Sequence, residues 1–286
     1  MSNLVSYLFE TNAFKVCKEN KPFWYTSGKI GPYFVNTHFL YGSEESATEF
    51  LKFIDVEKED KLGIPKKILD KCLAQYHDNV IYKEVIDEMV GFVKEHLNVD
   101  EIDYVSGGER RDWFFANLVA YLLEKPFITV FKDLSCVISS KDFSETTEAT
   151  KLEGKKVLHV ADLVTAASSY VRAWIPAVQA LGAEIVWSLV VVDRMQGGND
   201  RLKSLGIDSY SLVQIAPSMF KQALDMSIIT EEQYNMLNKF FEAPDETMKE
   251  FLIEHPEFLE EAWHSDEKTV VRARLCVEGD LYGLNK

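Results

Sequence analysis

Residues Lys155 to Ser169 (KKVLHVADLVTAASS) constrain this chain more than any other segment, because a nearly apolar run is followed at once by an acid and a small, hydroxyl-rich loop. Val157 to Val160 suit a parallel strand covered on both faces, and Asp162 then marks the carboxyl end, where open α/β sheets bind ligands. Thr165, Ala166, Ala167, Ser168 and Ser169 turn the chain into a helical pattern that runs from Tyr170 to Leu181. Backbone N–H groups and the positive end of that helix can converge there on an anion such as a phosphate. Ser and Thr also cap helices without binding anything, so these residues alone leave a phosphate site and a plain helix start equally open. The chain contains no Gly-x-x-x-x-Gly-Lys-Ser/Thr run and no Gly-x-Gly-x-x-Gly run. That sets aside the usual nucleoside-triphosphate and dinucleotide loops.

The formal charge of −15 opposes a general role on nucleic acid or anionic lipid, since such surfaces repel an acidic protein. With 286 residues and 47% apolar content, the chain can bury one large core or two smaller ones. Cys17, Cys72, Cys136 and Cys276 are far apart and have no metal-ligand spacing, which implies reduced thiols, a cytoplasmic location and no structural zinc. The amino terminus lacks a basic segment followed by an apolar core, and no run of about 18 apolar residues occurs. A soluble protein that is not exported is expected. His38, His77, His96, His159, His255 and His264 are scattered, and read as surface or packing residues rather than metal ligands.

Helical spacing covers residues 2–19, and the aromatic stretch from Phe23 to Phe39, punctuated by Gly and Pro, reads as short strands. From Ser43 to Leu97 the pattern is helical again, with Ser43 and Ser46 placed to cap the first helix. Ile102–Ser106, Phe127–Phe131, Val157–Val160 and Ile185–Val192 read as strands, with a helix at Asp112–Leu123 and another after Ser169. Such alternation implies right-handed crossovers and a mostly parallel sheet. The polar connection from Lys132 to Gly154 has little periodicity and reads as a functional lid or a disordered segment. Pro176 must kink the helix around it or shift that helix's start. Beyond Ile215 the chain becomes an acidic helical tail, with a capping box at Thr230 to Gln233 and a further helix start at Pro244. The acidic run from Glu254 to Glu267 reads as a solvated helix face.

Three separated segments together resemble the orotate phosphoribosyltransferase family of type I phosphoribosyltransferases. They are Tyr25 to Tyr33 (YTSGKIGPY), which is similar to the family's Ser-Gly-x-x-x-Pro-Tyr segment, the strand-acid-loop, and Val192-Asp193-Arg194, which is similar to its Leu-Asp-Arg. The resemblance implies an α/β fold with a phosphoribosyltransferase-type, mostly parallel sheet flanked by helices. It places that domain at residues 1–215, divided into an N-terminal hood segment (1–42), a helical insertion (43–100) and a core sheet (101–215), with a helical C-terminal extension at 216–286.

The family transfers ribose 5-phosphate from 5-phosphoribosyl 1-pyrophosphate (PRPP) to orotate with release of pyrophosphate, a step of pyrimidine nucleotide synthesis. The resemblance gives Asp162 the ribose hydroxyls and the developing charge at the sugar carbon, with Lys132 as a second catalytic residue. It assigns the 5-phosphate to Thr165, Ala166, Ala167, Ser168 and Ser169, and pyrophosphate to Arg111 beside Gly107 and Gly108. Arg194 would face orotate, with Tyr33 and Phe34 flanking the base. Mg2+ would be carried mainly by the PRPP pyrophosphate, with no protein metal site, and the assembly would be a homodimer. PRPP and orotate or a related base are then the partners, with neither nucleic acid nor membrane among them.

The departures from the family are equally specific. Phe131-Lys132-Asp133 stands where the family's loop begins Arg-Lys, and that loop's acids Asp142, Glu145 and Glu148 oppose a pyrophosphate. Ala161 stands where the family has a second acid, Ala167 where it has Gly, and Thr26 where Lys is common. A Cβ at position 167 strains a left-handed backbone. These changes keep an alternative in view: a catalytically impaired protein of this fold that binds PRPP or a nucleotide in a regulatory role. A third reading is an interaction scaffold that works through the C-terminal helices.

Overall fold

Five strands lie side by side and parallel because helices return the chain to the same end of the sheet in three of the connections between them and an antiparallel hairpin does so in the fourth. The computed structural model describes residues 3–18 and 21–284, and these divide into two compact units. The first unit is Met1–Asn12 with Thr37–Ile215; the second is Ala13–Asn36 with Ala216–Lys286.

The sheet of the first unit contains β1 (Tyr104–Gly108), β2 (Phe127–Val130), β3 (Cys136–Ser139), β4 (Thr146–Glu148), β5 (Lys156–Val164), β6 (Glu184–Asp193) and β7 (Asp208–Gln214). Their spatial order is β7-β6-β5-β1-β2-β3-β4. The first five in that order are parallel, whereas β3 and β4 add an antiparallel edge. In β5 every residue from Val157 to Asp162 is buried, as expected for a strand covered on both faces.

Three longer helices precede the sheet: α2 (Glu44–Glu57), α3 (Ile64–Asp78) and α4 (Val80–His96), after a short α1 (Leu4–Glu10). Ser43 and Ser46 form the expected capping box at α2. Helix α5 (Trp113–Leu122) has eight buried residues from Trp113 to Ala120, because it is sandwiched between β1 and β5 on one side and α3 and α4 on the other. The helix after the hydroxyl-rich loop runs over residues 168–180 and contains a π turn at Tyr170–Trp174 ahead of α6 (Ile175–Ala180). Pro176 cannot donate to a residue four positions back, and the widened turn, in which Ile175 N–H reaches Tyr170 O, sits immediately before it. Helix α7 (Gly198–Ser204) links β6 to β7.

The segment from Lys132 to Gly154 is not the disordered stretch that its composition allowed: it contains the β3–β4 hairpin, registered Val137 to Glu148 and Ser139 to Thr146. Its polar composition hides two anchors. Val137 is buried, and Phe143 stacks on Phe127 with ring centroids 5.8 Å apart.

In the second unit, the strands Phe14–Val16 and Tyr33–Val35 pair antiparallel, as do Phe23–Trp24 and Ile30–Gly31. The unit also contains α8 (Pro217–Asp225), α9 (Glu231–Glu242), α10 (Pro244–Glu254), α11 (Glu257–Ala262) and α12 (Glu267–Glu278). Thr230 and Gln233 form the capping box of α9. Phe14 stacks on Tyr33 at 5.0 Å and also meets Phe220 at 6.5 Å, while the Ile30 amide donates to the Tyr282 hydroxyl. Residues 13–36 therefore share a core with the carboxyl-terminal helices, a grouping that the sequence boundaries, which kept 1–42 with the sheet, do not contain. Glu254, Glu257, Glu260, Glu261, Asp266 and Glu267 are all exposed.

Candidate active site

The carboxyl ends of β1 and β5 open on a cavity of about 540 Å³. The loop after β1 (Glu109 to Asp112), Lys132 after β2, and the stretch from Ala161 to Tyr170 line it, with Trp174. Ligand sites in open α/β sheets lie at this end of the strands.

The paired glycines ending β1 are there for close packing. A Cβ on Gly107 would lie 2.5 Å from that of Ala116 in α5, and one on Gly108 would lie 2.3 Å from the Trp174 ring. Trp113 holds the same turn from below: its indole N–H donates to Gly107 O at 3.1 Å, and its ring meets Phe131 edge-on at 5.3 Å.

Asp162 is only 8% exposed, and it lies beside a second buried acid, Asp112, that sequence reasoning had not singled out. Burial, then the Asp112 charge, push the Asp162 carboxyl up to about 8, against an opposing pull from the Arg111 guanidinium. The Asp162 carboxyl of this buried pair therefore holds its proton at neutral pH.

Among the described residues, the amides of Ala166 and Ala167 donate no hydrogen bond, and neither do the hydroxyls of Thr165, Ser168 and Ser169. Five donors of one short loop thus remain available around one cavity. Ala167 has a φ of +52°, so the left-handed backbone expected from the loop pattern is present with an alanine in it. We expect Ala167→Gly to raise stability by roughly 0.5–1 kcal/mol, the relief of a left-handed Cβ less the added freedom of the unfolded chain. Chemical denaturation checks this, and an unchanged midpoint would refute it.

The cations of the cavity differ in what holds them. Arg110 pairs with Asp55, and Lys132 Nζ lies 3.9 Å from the Glu109 carboxylate, which Lys58 also approaches at 3.4 Å. Arg111 makes no ion pair among the described residues and is exposed. Of the residues assigned from the sequence, Arg111, Lys132, Asp162 and Thr165 to Ser169 are brought together here. Arg194 directly follows β6, where its amide donates to Val164 O at 3.0 Å, and it is not part of the cavity wall. Tyr33 is buried in the second unit, with its ring against Phe14 and edge-on to Phe240, so it packs rather than presents a face. Phe34, 37% exposed, keeps more of its ring in solvent.

No family model matches the sequence. An adenine phosphoribosyltransferase of Symbiobacterium thermophilum is 33% identical over 174 residues, covering 57% of this chain and 96% of the relative. This chain belongs to the phosphoribosyltransferase family. It is a divergent member, with curated relatives that include orotate enzymes: that of Staphylothermus marinus is 24% identical over 240 residues, spanning 84% of the chain and 94% of the relative. In fold, the phosphoribosyltransferase chain is similar to the crystal structure of the Francisella tularensis orotate phosphoribosyltransferase, with a TM-score of 0.53 at 14% identity, covering 84% and 97% of the two chains. No helix among the described residues is long and apolar enough to cross a membrane, and no group of three or more His, Cys, Asp or Glu among them could hold a metal ion.

Proposed function

We propose that the protein transfers ribose 5-phosphate from PRPP to orotate or a related base, releasing pyrophosphate. The observation that carries this reading is the set of five available donors between Thr165 and Ser169, at a strand end beside the buried Asp112–Asp162 pair. The donors suit a phosphate monoester, and the carboxyl pair suits the vicinal hydroxyls of a ribose. The bond from the sugar carbon to the pyrophosphate oxygen breaks as a bond to a ring nitrogen of the base forms. Asp162 would stabilise the positive character of the sugar between these events.

Arg111 and Lys132 line the side of the cavity nearest the loop after β1 and would meet the leaving pyrophosphate. Magnesium, which prefers phosphate oxygens and water to a dedicated protein cage, would neutralise pyrophosphate charge; the carboxyls of the wall, Glu109 and the Asp112–Asp162 pair, belong to no group among the described residues that could hold a metal by itself. Arg194 remains the candidate for the base, with orotate favoured by the charge of a guanidinium against a carboxylate, whereas Phe34 belongs to the second unit.

One observation favours a second, regulatory reading. The Glu109 carboxylate, whose side chain is 6% exposed, lies in the wall and engages Lys132, an arrangement that opposes a pyrophosphate there. PRPP-dependent loss of orotate absorbance in the presence of magnesium, with adenine in a parallel assay, separates the possibilities. Consumption of orotate is the expected result. Consumption of adenine alone would overturn the assigned base, and PRPP binding without turnover of either would favour the regulatory reading.

A further inference from the structure

Strands β1 and β5 pair as parallel neighbours only from Tyr104 opposite Val157 to Ser106 opposite His159. Beyond that point they part, and each carries a ligand-facing loop away from the other. The gap between them is spanned by one carboxylate. Asp112, 7% exposed and placed just before α5, accepts the Gly108 amide on Oδ2 at 3.0 Å and the Asp162 amide on Oδ1 at 3.2 Å. We propose that Asp112 is a positioning residue that ties the loop after β1 to the loop after β5 and so holds the two halves of the PRPP site in register. Its role in register rests on the transferase reading; its bridging role does not.

The geometry excludes a simpler account in which Asp112 merely caps its own helix, because no side-chain cap bond is made to α5. Both oxygens are instead committed to the ends of two different strands, one of them 50 residues away in sequence. Beneath the bridge, His159 Nδ1 lies 2.9 Å from Ser106 Oγ, and its Nε2 lies 3.6 Å from Asp112 Oδ2, too far for a hydrogen bond. The Tyr170 hydroxyl is engaged with Ser188 Oγ at 2.6 Å. The charged and titratable groups around Asp112 are thus Asp162 and His159 from β5, Arg111 and Glu109 from the loop after β1, Lys132 across the cavity, and Tyr170 from the helix. Of these, only Asp162 and Asp112 are carboxyls buried next to one another, so the bridge also decides how readily Asp162 carries charge.

Asp112→Asn preserves size but replaces one acceptor with a donor, so one of the two amides loses its partner. Calorimetric titration with PRPP and magnesium should show about tenfold or greater weakening near neutral pH. In the wild type, affinity should fall as pH rises and Asp162 loses its proton; in the variant, that fall should move to lower pH because the like charge is gone. A purely structural defect would weaken binding equally at every pH. Wild-type affinity together with a wild-type pH midpoint in a folded variant would overturn the proposal.

A measurement on the wild type covers the case in which the variant does not fold. The amide resonances of Gly108 and Asp162 should titrate with one common midpoint, and separate midpoints or no response would equally refute the bridge. Common titration in a wild type that does not bind PRPP would retire the transferase reading while leaving the bridge standing.

Discussion

Asp162→Asn should fold normally and lose about 10²–10³-fold in kcat for any PRPP-dependent transfer, because an amide can never ionise, whereas the carboxyl can give up its proton to stabilise a developing positive sugar. The same substitution should alter how stability depends on pH. The folded-state value of the acid, about 8, lies above the ordinary value near 4, so the native state holds a proton that the unfolded chain releases. The stability contributed by this group is therefore complete below about pH 4, declines above it, and is lost as pH passes through about 8. Asn removes that dependence, so the variant should melt at a higher temperature relative to wild type at pH 8.5 than at pH 5. Melting curves at the two pH values, beside initial rates, test both halves. Full turnover in the variant would remove Asp162 from the chemistry, and a pH-independent difference in melting would remove it from the buried pair.

The second large effect is expected at Trp113→Ala. Trp113 is fully buried, packs edge-on against Phe131, and donates its indole N–H to Gly107 O beneath the loop that carries Arg111. Truncation leaves a cavity the size of an indole and an unpaired carbonyl, for a loss of about 3–5 kcal/mol. That is enough to lower the melting temperature by on the order of 10 °C in a domain of this size. Because Gly107 would lose its tether, PRPP affinity should fall with stability even at temperatures where the protein remains folded. A melting temperature within a degree or two of wild type would show that neighbouring side chains refill the space.

What could be read from the sequence follows from how local each signal is. The strand ending at Asp162 was legible because a doubly covered strand must be apolar along its whole length, and the loop after it because Thr165, Ser168 and Ser169 carry their chemistry within five residues. Asp112 was invisible as a site residue: its partner amide belongs to Asp162, and only the parting of β1 from β5 gives the contact a purpose. The β3–β4 hairpin was missed because only one face of it is covered, so Ser, Thr, Asp and Glu outnumber the anchoring Val137 and Phe143. The shared core of residues 13–36 and the C-terminal helices escaped notice for a related reason. Strands of two or three residues have too few positions to show a period, and the partners of Phe14 and Tyr33, Phe220 and Phe240, come some two hundred residues later. The YTSGKIGPY stretch was recognised as a motif, but Tyr33 within it serves packing, a role that a motif match does not distinguish from binding.

The hairpin also bears on self-association. A parallel sheet that ended at β2 would offer an incoming chain four fully buried residues, three of them apolar, from Phe127 to Val130, with a free row of backbone donors and acceptors. Instead the outermost strand is the three-residue β4, built from Thr146, Thr147 and Glu148, too short to template a ladder and carrying a charge at its end. The segment whose sequence suggests a lid or a disordered stretch is therefore also a selvedge: it finishes the cloth of the sheet so that a second molecule finds little weave to pick up at that side.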